Sequence, residues 1–409
     1  MQFNQNSIQP TPTSALMSVV DTQGTNLGLD SSLASPTSGS ADVWPLTRET
    51  PRSAHITIYE SSIAFLREAC CRTDQDTSIL HQLSLIADDI VSAIIESVHC
   101  RRVLLQLSSE IGLANNSDWR NALQLDERRI ATHLETIFSS KSAEGPVLVL
   151  KGESAQCFLD VVQDTLNRGL LITPEQSRRA RRIIRKLSEA SDSLPSSLFV
   201  TAVSGRDPHP LFAGGYGDIY RAEYKNKTVA LKHMRYFTQT SDLRGIRLKL
   251  CREALVWKDL HHSNILTFIG IDRESFPGSL CLVSPWMEHG TVLKYLNDHG
   301  LENVDKLLFE IAQGLEYLHS HNVVHGDLRG TNILIKDDWS ACLADFGLSV
   351  IVSATASVHT STRAGSPYWM APELIDPARF GCRYARTPAS DVYAFGCVCL
   401  EVGSFPFMA

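Results

Sequence analysis

Apolar positions along this chain follow three rhythms in succession. Over residues 1–53 they are single and scattered among Ser, Thr, Pro, Gln and Asn. Such a composition cannot offset the entropy of ordering the chain, so a disordered tail is expected there. From about His55 to Ser140, Ile63, Leu66, Leu80, Leu83, Ile86, Ile90, Ile94, Ile95 and Val98 recur three or four residues apart, and Leu104, Leu105, Leu107 and Ile111 continue the series. That is the period of helices burying one face. Gly145-Pro146 breaks the chain, and Val147-Leu148-Val149-Leu150 fits either a short strand or the start of a buried helix. Ser154 to Arg168 is amphipathic, with Phe158, Leu159, Val162 and Leu166 on one side and Gly169 placed for a C-terminal cap. The next helix has a local start signal: Thr173 can cap, Pro174 suits the first helical position, and Gln176 completes a Thr-x-x-Gln box. Along it Arg178, Arg179, Arg181, Arg182, Arg185 and Lys186 surround Ile183, Ile184 and Leu187. A solvated helix face of long side chains is expected, with a nuclear-import or phosphate-binding patch as the alternative.

Beyond Pro195 the rhythm shortens. Leu198–Val203, Ile219–Ala222, Thr228–Leu231 and Leu280–Val283 read as short strands separated by turns, and Leu307–Leu318 as a helix. The chain therefore divides into a tail over 1–53, a helical region over 54–195 without an evident chemical role, and a mixed α+β domain over 196–409. The helical region is available for protein partners.

Composition narrows this picture. At 409 residues and 43% hydrophobic content the chain can build a sizeable core. A formal net charge of −7 gives no reason to expect nucleic acid or a membrane surface as the main partner. The ten cysteines include no Cys-x-x-Cys pair, and reduced core thiols are expected. Met1 to Asn6 lacks a secretory pattern, and no run reaches the roughly 18 apolar residues of a bilayer span. Cytoplasmic placement is expected, with the nucleus open through the basic helix.

The chemistry-bearing residues lie in the mixed domain. Phe212-Ala213-Gly214-Gly215-Tyr216-Gly217-Asp218-Ile219 is a Gly-rich turn between two expected strands. It suits close backbone approach to phosphate oxygens, though an ordinary hairpin turn would look similar. It gains weight from Val229-Ala230-Leu231-Lys232, a strand that returns beneath the turn and places Lys232 to meet nucleotide phosphates. Glu253, on an expected helix over Leu248–Leu260, is a candidate partner for Lys232, with Trp257 packing inward behind it. Asp327 and Asn332 sit between the apolar runs Val323-Val324 and Ile333-Leu334-Ile335, and Asp345 follows Cys342-Leu343-Ala344. An acid to orient a hydroxyl and accept its proton, then an amide and a carboxylate to hold Mg²⁺, is what ATP-dependent phosphoryl transfer requires.

These motifs resemble those of the eukaryotic protein kinases, most closely the tyrosine-kinase-like serine/threonine group expanded in mushroom-forming fungi. The likeness runs from about residue 205 to 408 and adds His262-Ser263-Asn264-Ile265, His325-Gly326-Asp327, Asp345-Phe346-Gly347, Ala371-Pro372-Glu373 and Asp391-Val392-Tyr393-Ala394-Phe395-Gly396. It implies a bilobal fold: an antiparallel sheet with helix C, then a mainly helical lobe. It implies ATP and Mg²⁺ as cofactors, Lys232, Glu253, Asp327 and Arg329 as catalytic residues, and Asn332 and Asp345 as metal ligands. Gly214, Gly215, Gly217, Ile219, Ala230 and Leu334 would line the nucleotide site with Lys232. Ser284 falls at the gatekeeper position and Pro285-Trp286-Met287 at the hinge.

The chain departs from the family pattern in four places. Phe212 replaces the first loop glycine. Gly326 replaces the arginine before the catalytic aspartate, so no cation is evident to receive a phosphate on the activation segment. Arg329 stands where serine/threonine kinases usually carry Lys. Gly403-Ser404-Phe405-Pro406-Phe407-Met408-Ala409 leaves no room for the helices that follow Asp391 in the family, which implies a large lobe truncated at its C-terminal end. Two functional classes are compatible with this: a kinase acting on protein Ser/Thr, or a catalytically silent nucleotide-binding pseudokinase or scaffold.

Overall fold

The computed structural model describes residues 57–69, 80–81, 87, 89–214, 217–234, 243–346, 350–351 and 367–403. The tail expected over 1–53 lies outside them.

The helical region contains α1 (Glu60–Ala69), α2 (Ile90–Glu110), α3 (Ser117–Phe138), α4 (Lys141–Leu148), α5 (Gly152–Asn167) and α6 (Pro174–Ser191). Side chains set several of the starts: Asp89 caps Val91 and Ser92, Asn116 caps Asp118 and Trp119, and Ser140 caps Ala143. The Thr173–Gln176 box forms in both directions. At the end of α5, Gly169 takes φ +65° and its N–H reaches Leu166 O. Leu66, Ile94, Leu104, Leu134, Phe158, Leu159 and Ile183 fill the core between these helices.

Gly145-Pro146 does not break the chain; it lies inside α4, and the residues after it are neither strand nor a long helix. Tertiary contacts account for this, since Glu144 is buried and ion-paired with Arg182 and Lys186 of α6 while Val147 is fully buried. The basic face of α6 is largely engaged in pairs of this kind. Arg179 meets Glu175 at 2.9 Å and Arg181 meets Asp259 at 3.0 Å.

Leu198–Val203 is not a strand either. A 3-10 turn over Ser196–Leu198 leads to single bridges, Phe199 with Ile271 and Ser204 with Glu223. A five-stranded antiparallel sheet follows in the order β1-β2-β3-β5-β4. Its strands are β1 (Phe212–Gly214), β2 (Gly217–Tyr224), β3 (Lys227–His233), β4 (Gly270–Asp272) and β5 (Cys281–Pro285). Helix α7 (Leu243–Trp257) accompanies it. The second lobe is mainly helical, with α8 (Val292–His299), α9 (Val304–Ser320), α10 (Pro372–Ile375) and α11 (Pro388–Gly403). Short pairs β6 (Val323–Val324) with β9 (Val350–Ile351), and β7 (Ile333–Ile335) with β8 (Ala341–Leu343), frame the loop between them. The architecture is therefore an all-helical region followed by a bilobal α+β domain. Among the described residues no helix is long and apolar enough to cross a membrane.

Candidate active site

The two lobes meet at Lys232. Antiparallel pairing sets it opposite Ile219 on one side and Leu282 on the other. Its ammonium bonds Glu253 Oε1 of α7 at 2.7 Å and Asp345 Oδ1 at 2.6 Å. Lys232 is 13% exposed at its side chain and Glu253 1%, so this is a buried cluster rather than a surface pair. Burial disfavours the charged lysine, but Asp345 and Glu253 outweigh it and hold its pKa above that of an ordinary lysine. Burial likewise pushes the Glu253 carboxyl up, with Lys232 pulling against it. Behind the pair Trp257 packs inward against Phe268 and Phe346 and donates its indole N–H to Leu266 O.

The loop between β6 and β7 is held from three directions. Asn332 Nδ2 donates to Asp327 O at 2.8 Å and to Asp327 Oδ2 at 3.2 Å, fixing the carboxylate against the amide. His325 Nδ1 accepts the Asp327 N–H at 3.3 Å, which assigns the proton to Nε2, and that nitrogen reaches Ala344 O at 3.0 Å. From α11, Asp391 accepts the N–H groups of His325 and Gly326 at 2.7 and 2.9 Å, and His319 reaches the same carboxylate at 3.0 Å. The Ala344 N–H donates to Asn332 O at 2.9 Å and so brings Asp345, at φ +63°, beside the loop. Lys232, Glu253 and Asp345 thus converge on one face, with Asp327 and Asn332 tied to it through Ala344.

Gly326 adopts φ +79°, a conformation that costs glycine least. Its carbonyl is not left alone: buried Arg386, just ahead of α11, donates Nε–H to it at 3.1 Å. A guanidinium from 60 residues downstream thus holds the backbone of the residue that replaces the family's arginine. Glu401 is a second residue that the sequence did not mark. Its Oε2 accepts Gly330 N–H at 2.9 Å and Trp369 Nε1–H at 3.0 Å, clasping the loop that carries Asn332. In sequence it reads only as a polar interruption of an apolar helix. Arg329, half-buried, begins the 3-10 turn over Gly330–Asn332.

Around the cleft, Ala230 pairs with buried Ser284, Pro285 pairs with Val229, and the Trp286 N–H reaches Thr228 O. The Met287 carbonyl accepts the Gly290 N–H at 3.0 Å, and Leu334 bridges Thr291 from below. Phe212 stacks on Trp286 with centroids 6.2 Å apart, so it adds an aromatic surface at the mouth where a glycine was expected. Gly214 pairs with Gly217 in the hairpin, whereas Gly215 lies outside the described residues. Gly217 has its own structural reason: a Cβ there would sit 2.6 Å from His233 O. Gly347 and the hydroxyl residues between Ser353 and Ser366 are likewise outside the described residues.

The oxygens of Asn332 and Asp345 form a hard donor set of the kind Mg²⁺ takes, and both Asn332 Nδ2 bonds go to Asp327, so the amide oxygen turns the other way. The residues present therefore fit a nucleotide-bound divalent cation.

Comparison with known proteins agrees. A family model described as protein tyrosine and serine/threonine kinase matches residues 208–408. Serine/threonine-protein kinase STY46 of Arabidopsis thaliana is 30% identical over 205 residues, 49% of this chain and 33% of that protein. Serine/threonine/tyrosine-protein kinase HT1 of the same plant is 33% identical over 196 residues, 46% of this chain and 48% of that protein. Cell division control protein 7 of Schizosaccharomyces pombe is 34% identical over 195 residues, 46% and 17% respectively. The chain thus spans less than half the length of these relatives, and the match falls on the bilobal part. With the lobes, the Lys232 cluster and the Asp327–Asn332 loop in one place, residues 208–408 are a eukaryotic protein kinase domain, homologous to serine/threonine and tyrosine kinases.

Proposed function

We propose that this chain transfers the γ-phosphoryl group of ATP to Ser or Thr hydroxyls of proteins, as a member of the tyrosine-kinase-like serine/threonine group. The observation that carries the reading is the pair of locks in the cleft: Lys232 held between Glu253 and Asp345, and Asp327 held by Asn332. In this reading Lys232 binds the α- and β-phosphates, and Asp327 orients the acceptor hydroxyl and takes its proton. Bound Mg²⁺, held by Asn332 and Asp345, would neutralise phosphate charge. Ile219, Ala230, Leu334 and Phe212 surround adenine, with Ser284 at the back wall and the Trp286–Met287 backbone at its edge. Arg329 lies beside the acceptor site.

The test is phosphate transfer from labelled Mg-ATP to peptide libraries and to the chain itself, wild type against Asp327→Ala. Removal of a positioned base costs about 10²–10⁴ in rate. Equal signals from both proteins would end the kinase reading. Stabilisation by ATP without transfer would assign the domain to silent nucleotide binding instead.

A further inference from the structure

The helical region does not hang from the kinase domain by a tether. Helix α6 packs along α7, the helix that carries Glu253. Leu187 of α6 and Leu250, Cys251 and Ala254 of α7 belong to one continuous buried core. Charges join the same two elements at separate points: Glu189 meets Arg252 at 2.8 Å, and Arg181 meets Asp259, just past the end of α7, at 3.0 Å. Past α6 the chain adds a third attachment, where the Val200 N–H donates to Ile271 O on β4 at 2.9 Å.

This arrangement acts on the cleft through a short lever. Arg252 and Glu253 are consecutive on one rigid helix, so a shift imposed at Arg252 is transmitted to the Glu253 carboxylate, 2.7 Å from Lys232. We infer that the helical region is a resident clamp on α7 that sets the Lys232–Glu253 pair, with Arg181 and Glu189 as positioning residues. The inference rests on the kinase reading for its catalytic consequence and on the packing and ion pairs between α6 and α7 for its mechanical part.

Charge reversal on the α6 side separates the two. In the full chain, R181E/E189R sets like charges against Asp259 and Arg252 without touching the kinase domain. Amide hydrogen exchange over residues 243–257 should rise, and kcat for peptide phosphorylation should fall about five- to tenfold, the scale of a typical coupling between sites. Adding R252E restores opposite charges at the Glu189–Arg252 point while leaving Asp259 paired with nearly buried Lys258, and should return exchange and kcat part of the way toward wild type. Unchanged exchange in the double reversal, or a loss that the added R252E does not reduce, overturns the clamp. A wild-type chain with no transferase activity removes the kinase reading, while the exchange pattern still decides the clamp.

Discussion

Buried carboxylates occur in both halves of the described structure, but their partners differ. In the helical region each is balanced where it sits. Asp126 accepts the Ser61 and Ser62 N–H groups at 3.1 and 2.7 Å, Glu127 lies between Arg101 and Arg168, and Glu144 lies between Arg182 and Lys186. In the cleft the Lys232 ammonium is shared by Glu253 and Asp345, 21 and 113 residues away, while Asp327 is held on its own loop by Asn332. Local pairing offsets the cost of burying each carboxylate. Sharing one ammonium between two carboxylates from different elements ties the two lobes together, so the same residue types brace neighbouring helices in one half and join the lobes in the other.

The comparison is broken most severely by Lys232→Met. Glu253 would lose its buried cation, a change worth about 3–5 kcal/mol in stability. If Lys232 binds phosphate as proposed, losing its ammonium should lower kcat about 10²–10³-fold as well. Denaturant melts and steady-state kinetics would register both, and a variant that kept wild-type turnover would place the phosphates elsewhere.

Next comes Arg386→Ala. Without the bond to Gly326 O the loop carrying Asp327 is less well held, and kcat should fall between about tenfold and a hundredfold while KM for ATP stays near wild type. An equal rise in KM would show that Arg386 acts on nucleotide binding instead.

Asp126→Ala tests the other side. It strips the backbone N–H groups of half-buried Ser61 and buried Ser62 of their acceptor and should cost about 1–3 kcal/mol, seen as a lower melting temperature, with kcat and KM unchanged. A kinetic effect would mean that helices α1 and α3 also report to the cleft.

The smallest effect concerns pH. The Ser92 side chain and the backbone N–H groups of Ser92 and Val91 hold the Asp89 carboxyl below the usual aspartate range. A pKa depressed by folding contributes stability that is present above the unfolded value and is lost as pH falls through the folded one. Asp89→Asn, which can still cap, should therefore melt with a shallower dependence on pH below about 4 than wild type does. Identical acid profiles for the two proteins would remove Asp89 from the account.

Legibility in the sequence followed the range of the interactions. The α6 capping box, the helix rhythm of 90–111 and the strands around Lys232 depend on near neighbours, and each appears close to where the pattern puts it. The Lys232–Glu253 pairing was legible only as a choice among several acids until α7 was seen beside the sheet. Strands β1 and β4, three residues each, are too short for an alternation to show. Leu198–Val203 has strand composition but makes only an isolated bridge, because its hydrogen bonds are divided between a 3-10 turn and separate partners. Arg386 gives no local signal and Glu401 only an interruption of an apolar run, since their contacts exist only once α11 lies against the loop carrying Asp327.

The clasp formed by Asp391 also orders events in time. The two N–H groups it holds belong to residues 66 and 65 positions earlier in the chain. At about 5–20 residues per second, a ribosome releases the loop several seconds before the carboxylate that fastens it. Over that interval the nascent loop has Asp327 and Asn332 but not its anchor, and a chain stalled before residue 391 should be cut there by protease far faster than the finished protein.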